Sequence, residues 1–289
     1  MSCHKFFILF IFFKFSTSSY YCPPANVLNG ICYHIFNDYY SRGWFDAEAF
    51  CANDGGQLGN IKDAFINNFV AKIANNGFTY ADYWIGGLVD IDKATNRTVW
   101  KWIDYNSFNY TNWDSSYSNK SYVGQCLTQN LYTGKWSTSG CDEQKNFVCE
   151  YANTSQLCPN WDSMYFITHV TAFGNKCYGI SSGVYNWSSA LSNCQKFNGS
   201  LVSIHSYNED KLISRLTSGY TFIGLMDPTN NGNNTENFIW SDSRPMDYSN
   251  WCLASNSING SCVLYDSDEG CWYSRSCHEY STYVCEYYL

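Results

Sequence analysis

Asp266, Asp268 and Glu269 stand within four residues of one another, between Cys262 and Cys271. Carboxylates at that density can hold a hard divalent cation, and the same composition makes a solvated acidic turn. Glu209-Asp210 is a second acidic pair, read as a solvated helix start. His34, His169, His205 and His278 are scattered, and no two lie four apart to put both imidazoles on one helix face. No Gly-Lys-Ser/Thr loop cradles a phosphate. The remaining chemistry is that of tyrosine and cysteine: 25 Tyr, 11 Trp and 15 Cys in 289 residues. A tyrosine joins rigid apolar area to one hydroxyl, which suits a protein surface or a sugar face. No catalytic residue emerges, and the chain reads as a binding protein rather than an enzyme.

Charged residues make up 15% of the chain, aromatics 19% and the apolar class 45%, which is enough to bury real cores and excludes global disorder. Only 17 Lys and Arg, against a net charge of −8, disfavour a nucleic-acid partner. The cysteine load points to an oxidising compartment. Lys5, the apolar run Phe6 to Phe13, and Ser16-Thr17-Ser18-Ser19 have the layout of a secretory signal peptide over residues 1–19. The run is too short to span a bilayer, which takes ~20 apolar residues. Cleavage removes Lys5, Lys14 and Cys3, so the net charge becomes −10 and 14 cysteines remain, an even number that can pair fully. Asn96, Asn109, Asn119, Asn153, Asn186, Asn198, Asn233 and Asn259 each open an Asn-x-Ser/Thr sequon, a glycan acceptor in a secreted chain.

The elements that position these residues come twice. Cys126, Trp136, Cys141 and Cys149 recur 136 residues on as Cys262, Trp272, Cys277 and Cys285, and Cys22 recurs as Cys158. The expected organisation is a unit at 20–151, a polar linker at 152–157 and a unit at 158–289. So short a linker keeps the units close. In each, apolar residues at spacings of three and four predict a helix ending in cysteine, through Ala47, Phe50 and Cys51 and through Trp187, Ala190 and Cys194. Second helices are expected near 64–74 and 209–216. Tyr83 to Leu88 and Thr221 to Leu225 read as buried strands. The fold class is α+β: in each unit, two helices on mixed, mostly antiparallel strands with a long structured loop.

Trp84-Ile85-Gly86-Gly87-Leu88 and Phe222-Ile223-Gly224-Leu225 resemble the core strand of the C-type lectin-like domain. Trp102-Ile103-Asp104 with Tyr110-Thr111-Asn112-Trp113, and Trp240-Ser241-Asp242 with Tyr248-Ser249-Asn250-Trp251, resemble its long-loop entry. The Trp-x-x-x-x-Cys endings complete the likeness in both units. The resemblance implies the disulfides Cys22–Cys32, Cys51–Cys149, Cys126–Cys141, Cys158–Cys177, Cys194–Cys285 and Cys262–Cys277. Cys252 and Cys271 are left over and are paired by elimination, with an intermolecular bridge as the rival.

In sugar-binding members of that family, carboxylates hold a calcium that binds the sugar hydroxyls. Here the corresponding positions are Tyr117-Ser118-Asn119, Gly124-Gln125 and Ser137-Thr138 in the first unit. In the second they are Ser255-Asn256-Ser257, Gly260-Ser261 and Tyr273-Ser274. None carries a carboxylate, so the expectation is no sugar-site calcium and no metal cofactor. Loop residues in the ligand region become the binding candidates: Tyr117, Asn119, Tyr122, Tyr132, Tyr265 and Tyr273. The resemblance then implies a secreted extracellular binding protein for a glycan or protein ligand, in innate recognition. A lectin with a displaced or calcium-independent site and a structural matrix component are the alternatives.

Overall fold

The computed structural model describes residues 22–53, 55–79, 82–117, 122–152, 158, 167–229, 234–253 and 260–288. The leader expected at 1–19 lies outside them. The first repeat contains β1 (Val27–Leu28), β2 (Ile31–Phe36), α1 (Trp44–Asn53), β3 (Gln57–Leu58) and α2 (Ala64–Asn75). It continues with β4 (Asp82–Asp92), β5 (Arg97–Trp102), β6 (Gln125–Asn130), β7 (Trp136–Gly140) and β8 (Asn146–Ala152). The second contains β9 (Ile167–Phe173), β10 (Lys176–Ser181), α3 (Trp187–Gln195), β11 (Ser200–Leu201) and α4 (Tyr207–Leu216). It closes with β12 (Tyr220–Met226), β13 (Ile239–Trp240), β14 (Cys262–Asp266), β15 (Cys271–Arg275) and β16 (Thr282–Tyr288). All four expected helices form. Ala152, expected to begin the linker, instead ends β8 opposite Ile31.

Each repeat builds one sheet, in the order β1-β2-β8-β4-β6-β7 and, read from the opposite edge, β15-β14-β12-β16-β10-β9. Pairing is antiparallel except where β4 meets β8 and β12 meets β16. The helices form where apolar side chains fall on one face and a polar side chain caps the start. Asp63 accepts from the Ile66 amide ahead of α2, and Ser206 accepts from the Glu209 amide ahead of α4. Trp44 and Trp187 anchor α1 and α3 in the same way, donating their indole N–H to the Ile85 and Ile223 carbonyls at 2.8 and 2.9 Å. Gly86 and Gly224 are glycines for close approach: a Cβ would sit 2.6 Å from Leu58 O and 2.7 Å from Leu201 O.

Seven disulfides close the two repeats: Cys22–Cys32, Cys51–Cys149, Cys126–Cys141, Cys158–Cys177, Cys194–Cys285, Cys252–Cys271 and Cys262–Cys277. Cys252 and Cys271 therefore bridge within the chain. Among the described residues, no helix is long and apolar enough to cross a membrane.

Candidate functional site

A cleft of about 600 Å³ opens in the first repeat between the long loop and the β6–β7 hairpin. Tyr117 and Tyr122 line it, with Gln125, Ser137, Thr138, Asp114 and Lys135. Gln125, Ser137 and Thr138 are the positions at which the sequence lacks calcium-binding carboxylates, so the structure gathers these neutral side chains and two of the candidate tyrosines into one site. Tyr122 is 58% exposed. Tyr132 is 73% exposed on the β6–β7 turn and is not part of the lining. Asn119 lies outside the described residues.

The cleft wall is braced from the core. Tyr117 stacks on Trp113 with ring centroids 4.3 Å apart and planes 9° from parallel. Trp113 meets the edge of Trp136 at 5.8 Å. The buried Trp136 indole N–H donates to Asn67 Oδ1 at 2.8 Å, and the Asn67 amide donates to Gly134 O at 3.1 Å. A chain of rings ending in a hydrogen-bonded tryptophan fixes the Tyr117 ring at little entropic cost. Asp114 accepts from the Ser116 hydroxyl and amide, which holds its carboxyl below the usual range and keeps it ionised. Lys135 donates to Asn112 Oδ1 at 2.7 Å.

The second repeat has the same frame and a different site. Trp272 replaces Trp136 and donates its indole N–H to Asp210 Oδ1 at 3.0 Å. Where Asp114 and Lys135 border the cleft, the second repeat carries the Cys252–Cys271 disulfide. Tyr273 stands at the position of Ser137. The expectation that Tyr265 and Tyr273 offer ligand surface is corrected: they are 0% and 6% exposed. The Tyr265 hydroxyl donates to Asp210 O at 3.1 Å and the Tyr273 hydroxyl to Glu269 Oε2 at 2.6 Å. Tyr265 lies opposite Trp272 and Tyr273 opposite Leu264, so they point to the two faces of a hairpin that is covered on both sides, which residue type alone does not reveal.

The acidic groups also change meaning. Asp266 is buried and accepts from the amides of Asp268 and Glu269, so it ties the β14–β15 turn. Among the described residues, the one cluster with metal-ligand spacing is Cys252, Glu269 and Cys271, and both its sulfurs are bonded to each other. Glu209-Asp210 is not a solvated helix start, since both residues are buried. Asp210 collects the Trp272 indole, the Asn250 amide at 2.9 Å and the Tyr265 hydroxyl, and burial raises its carboxyl to about 6. Glu209 Oε1 and Glu286 Oε2 lie 2.9 and 3.0 Å from the ammonium of Lys176, which is 3% exposed. Burial raises Glu286 to about 7 against the pull of Lys176. Ser203 Oγ lies within 2.7 Å of carboxylate oxygens of both Asp242 and Glu286. One hydroxyl proton serves one of these two carboxylates at a time, and a proton taken up by Glu286 in acid would complete the network.

The expectation that the chain has no Gly-x-Ser-x-Gly elbow is corrected: Gly179-Ile180-Ser181-Ser182-Gly183 has its letters. The fold gives it no such role. Ser181 is buried at the end of β10, where its hydroxyl donates to Gly183 O at 3.0 Å and accepts from the Tyr283 amide at 2.9 Å. Of the sequon asparagines, Asn96, Asn109 and Asn198 are exposed, and Asn186 caps α3. Asn119, Asn153, Asn233 and Asn259 lie outside the described residues.

Twin α+β repeats with this strand order, disulfide framework and long-loop site define a class of extracellular binding domain. The lectin C-type domain model matches residues 40–151 and 184–287, and the chain belongs to that family. It is similar to lymphocyte antigen 75 of Mesocricetus auratus, at 27% identity over 89% of this chain and 15% of that protein. It is also similar to the secretory phospholipase A2 receptor of Mus musculus, at 26% identity over 92% of this chain and 18% of that protein. The chain thus spans less than a fifth of the length of these two relatives. Lithostathine of Rattus norvegicus is 33% identical over 45% of the chain and 78% of its own length. The solved structure of human lithostathine covers 46% of the chain at 26% identity, with a TM-score of 0.39.

Proposed function

We propose that this is a secreted, N-glycosylated binding protein whose first repeat recognises a glycan in the Tyr117–Tyr122 cleft without calcium. The observation that carries the reading is the convergence of Tyr117, Tyr122, Gln125, Ser137 and Thr138 in one polar cleft. Tyrosine faces cover the apolar side of a sugar ring, and neutral hydroxyls and amides match its hydroxyls one by one. Calcium fits the cleft poorly. It asks for six to eight oxygens, mainly carboxylate. Asp82 and Asp114, the two carboxylates of the lining, already accept from Asn130 and Ser116. The unit boundaries proposed are 20–151 and 158–289, behind a leader at 1–19. A part in innate recognition belongs to the same proposal. A protein ligand is the second reading, favoured by the exposed rings of Tyr122 and Tyr132 at the rim.

A glycan array read in chelator, with Tyr117→Ala and Tyr122→Ala alongside, tests the proposal. The expected result is binding that survives chelation and falls at least about 10-fold in either variant, which is ~1.4 kcal/mol. Binding that vanishes with chelator, or that ignores both substitutions, overturns it. A blank array moves the search to protein ligands.

A further inference from the structure

We infer that the tip of the β9–β10 hairpin is a docking element that seats the second repeat on α1 of the first, so that the pair is one rigid body with a one-way interface. The hairpin is longer than its counterpart. Cys158 and Cys177 are 19 residues apart where Cys22 and Cys32 are 10 apart, and β9 has seven residues where β1 has two. The extra length lies away from the tip, because a two-residue turn closes both hairpins. Phe173, opposite Lys176, holds the place of Leu28, opposite Ile31, so the side chain at the tip is what reaches the other repeat. Phe173, the last residue of β9, is buried against Phe45 of α1 at 6.2 Å between centroids, and against Tyr105 at 6.5 Å.

Gly174 turns the tip with φ +63°, and a Cβ there would lie 2.0 Å from the Tyr105 ring. The turn favours glycine and also accepts the asparagine found at Asn29 in the first repeat, but the Tyr105 ring leaves no room for a side chain here. Beside the apolar contact, the buried Asn208 of α4 donates its amide to Val89 O of β4 at 3.1 Å. Charges that cross between the repeats ring this centre: Lys93 with Asp247, and Arg215 with Asp142 and Asp46. A desolvated aromatic centre, a paired buried amide and a polar rim are the anatomy of a specific interface. Repeats joined only by a linker would move freely.

The interface runs in one direction because the repeats differ on the docking face. Counting from Trp44 and Trp187, Phe45 and Asp46 of α1 correspond to Ser188 and Ser189 of α3, both exposed. Serine hydroxyls in water offer no apolar seat, so the second repeat presents no copy of the face that the first repeat uses.

The disulfides make the inference testable in the full chain. Each of the seven closes within one repeat, so cutting the linker leaves no covalent tie between the halves. A protease recognition sequence is placed across residues 153–157, the oxidised protein is cleaved, and the product is run on size exclusion at micromolar concentration. The cut halves are expected to travel together at the mass of the intact chain. Phe173→Asp should separate them, and the milder Phe45→Ser, which copies Ser188, should weaken their association at least 10-fold. Wild-type halves that separate after cleavage overturn the inference. So does a cleaved Phe45→Ser protein whose halves hold together as tightly as wild type.

Discussion

Asp114 and Cys252 occupy the same seat in the two repeats. The Asp114 amide donates to Trp136 O at 2.8 Å, and the Cys252 amide donates to Trp272 O at 3.0 Å. In each case the tryptophan amide returns a bond to the loop, to Asn112 O and to Asn250 O. One backbone seat therefore carries an ionised carboxylate at the border of a cleft in the first repeat and half of a disulfide in the second. That exchange divides the labour between them: the first repeat keeps an open polar site, and the second is locked and docked.

Replacing both Cys252 and Cys271 by serine should lower stability by about 3 kcal/mol, the scale for releasing a loop of 19 residues. Denaturant unfolding of the oxidised proteins measures it. Ligand binding in the first-repeat cleft should not change. A double variant that loses that binding would place the bridge in the site.

Lys176→Met should cost roughly 3–5 kcal/mol, because it leaves Glu209 and Glu286 buried with no cation. The loss should shrink in acid, where Glu286 takes a proton. Melting curves at pH 5 and pH 8 read both effects. An equal loss at the two values would mean that the carboxylates had found other partners.

Glu48 supplies a pH dependence. It is fully buried, its Oε2 accepts from the Leu58 amide at 2.6 Å, and burial raises its carboxyl from 4.5 to about 8. The folded chain keeps this proton after the unfolded chain has lost it. Stability is therefore unaffected below about pH 4.5 and falls as pH rises towards 8. Glu150, raised to about 7 by burial, acts in the same direction. Glu48→Gln preserves the acceptor and removes the titration. It should raise the melting temperature at pH 8 and flatten its decline between pH 5 and 8. A variant that tracks wild type across this range would show that Glu48 is ionised in the fold.

Asp210→Asn should cost ~1–3 kcal/mol, since an amide nitrogen would then face the donors that Asp210 now accepts from. Asn67→Asp, the reciprocal change, places a buried charge where Gly134 O needs a donor. It should destabilise by a similar amount or more, and it should weaken ligand binding by freeing the Trp136–Trp113–Tyr117 stack. Asn67→Asp with unchanged ligand affinity would separate the core hydrogen bond from the cleft.

What the sequence determined by itself was the frame. The recurrence of Cys126, Trp136, Cys141 and Cys149 at a fixed offset, the helices ending in Cys51 and Cys194, and the apolar strands around Ile85 and Ile223 rest on local pattern and covalent spacing. Both are properties of the chain in one dimension. Direction and partnership were decided only in three dimensions. Tyr117 and Tyr265 are the same residue type, yet β14, covered on both faces, buries one while a loop presents the other. Glu209 and Asp210 look like solvated charges until Lys176 and Trp272, distant in sequence, are brought against them. The docking of Phe173 on Phe45 had one visible trace, a phenylalanine at the place held by Leu28 in the first repeat. Its meaning needed the partner face, because burial is a property of two surfaces and a sequence shows them one at a time.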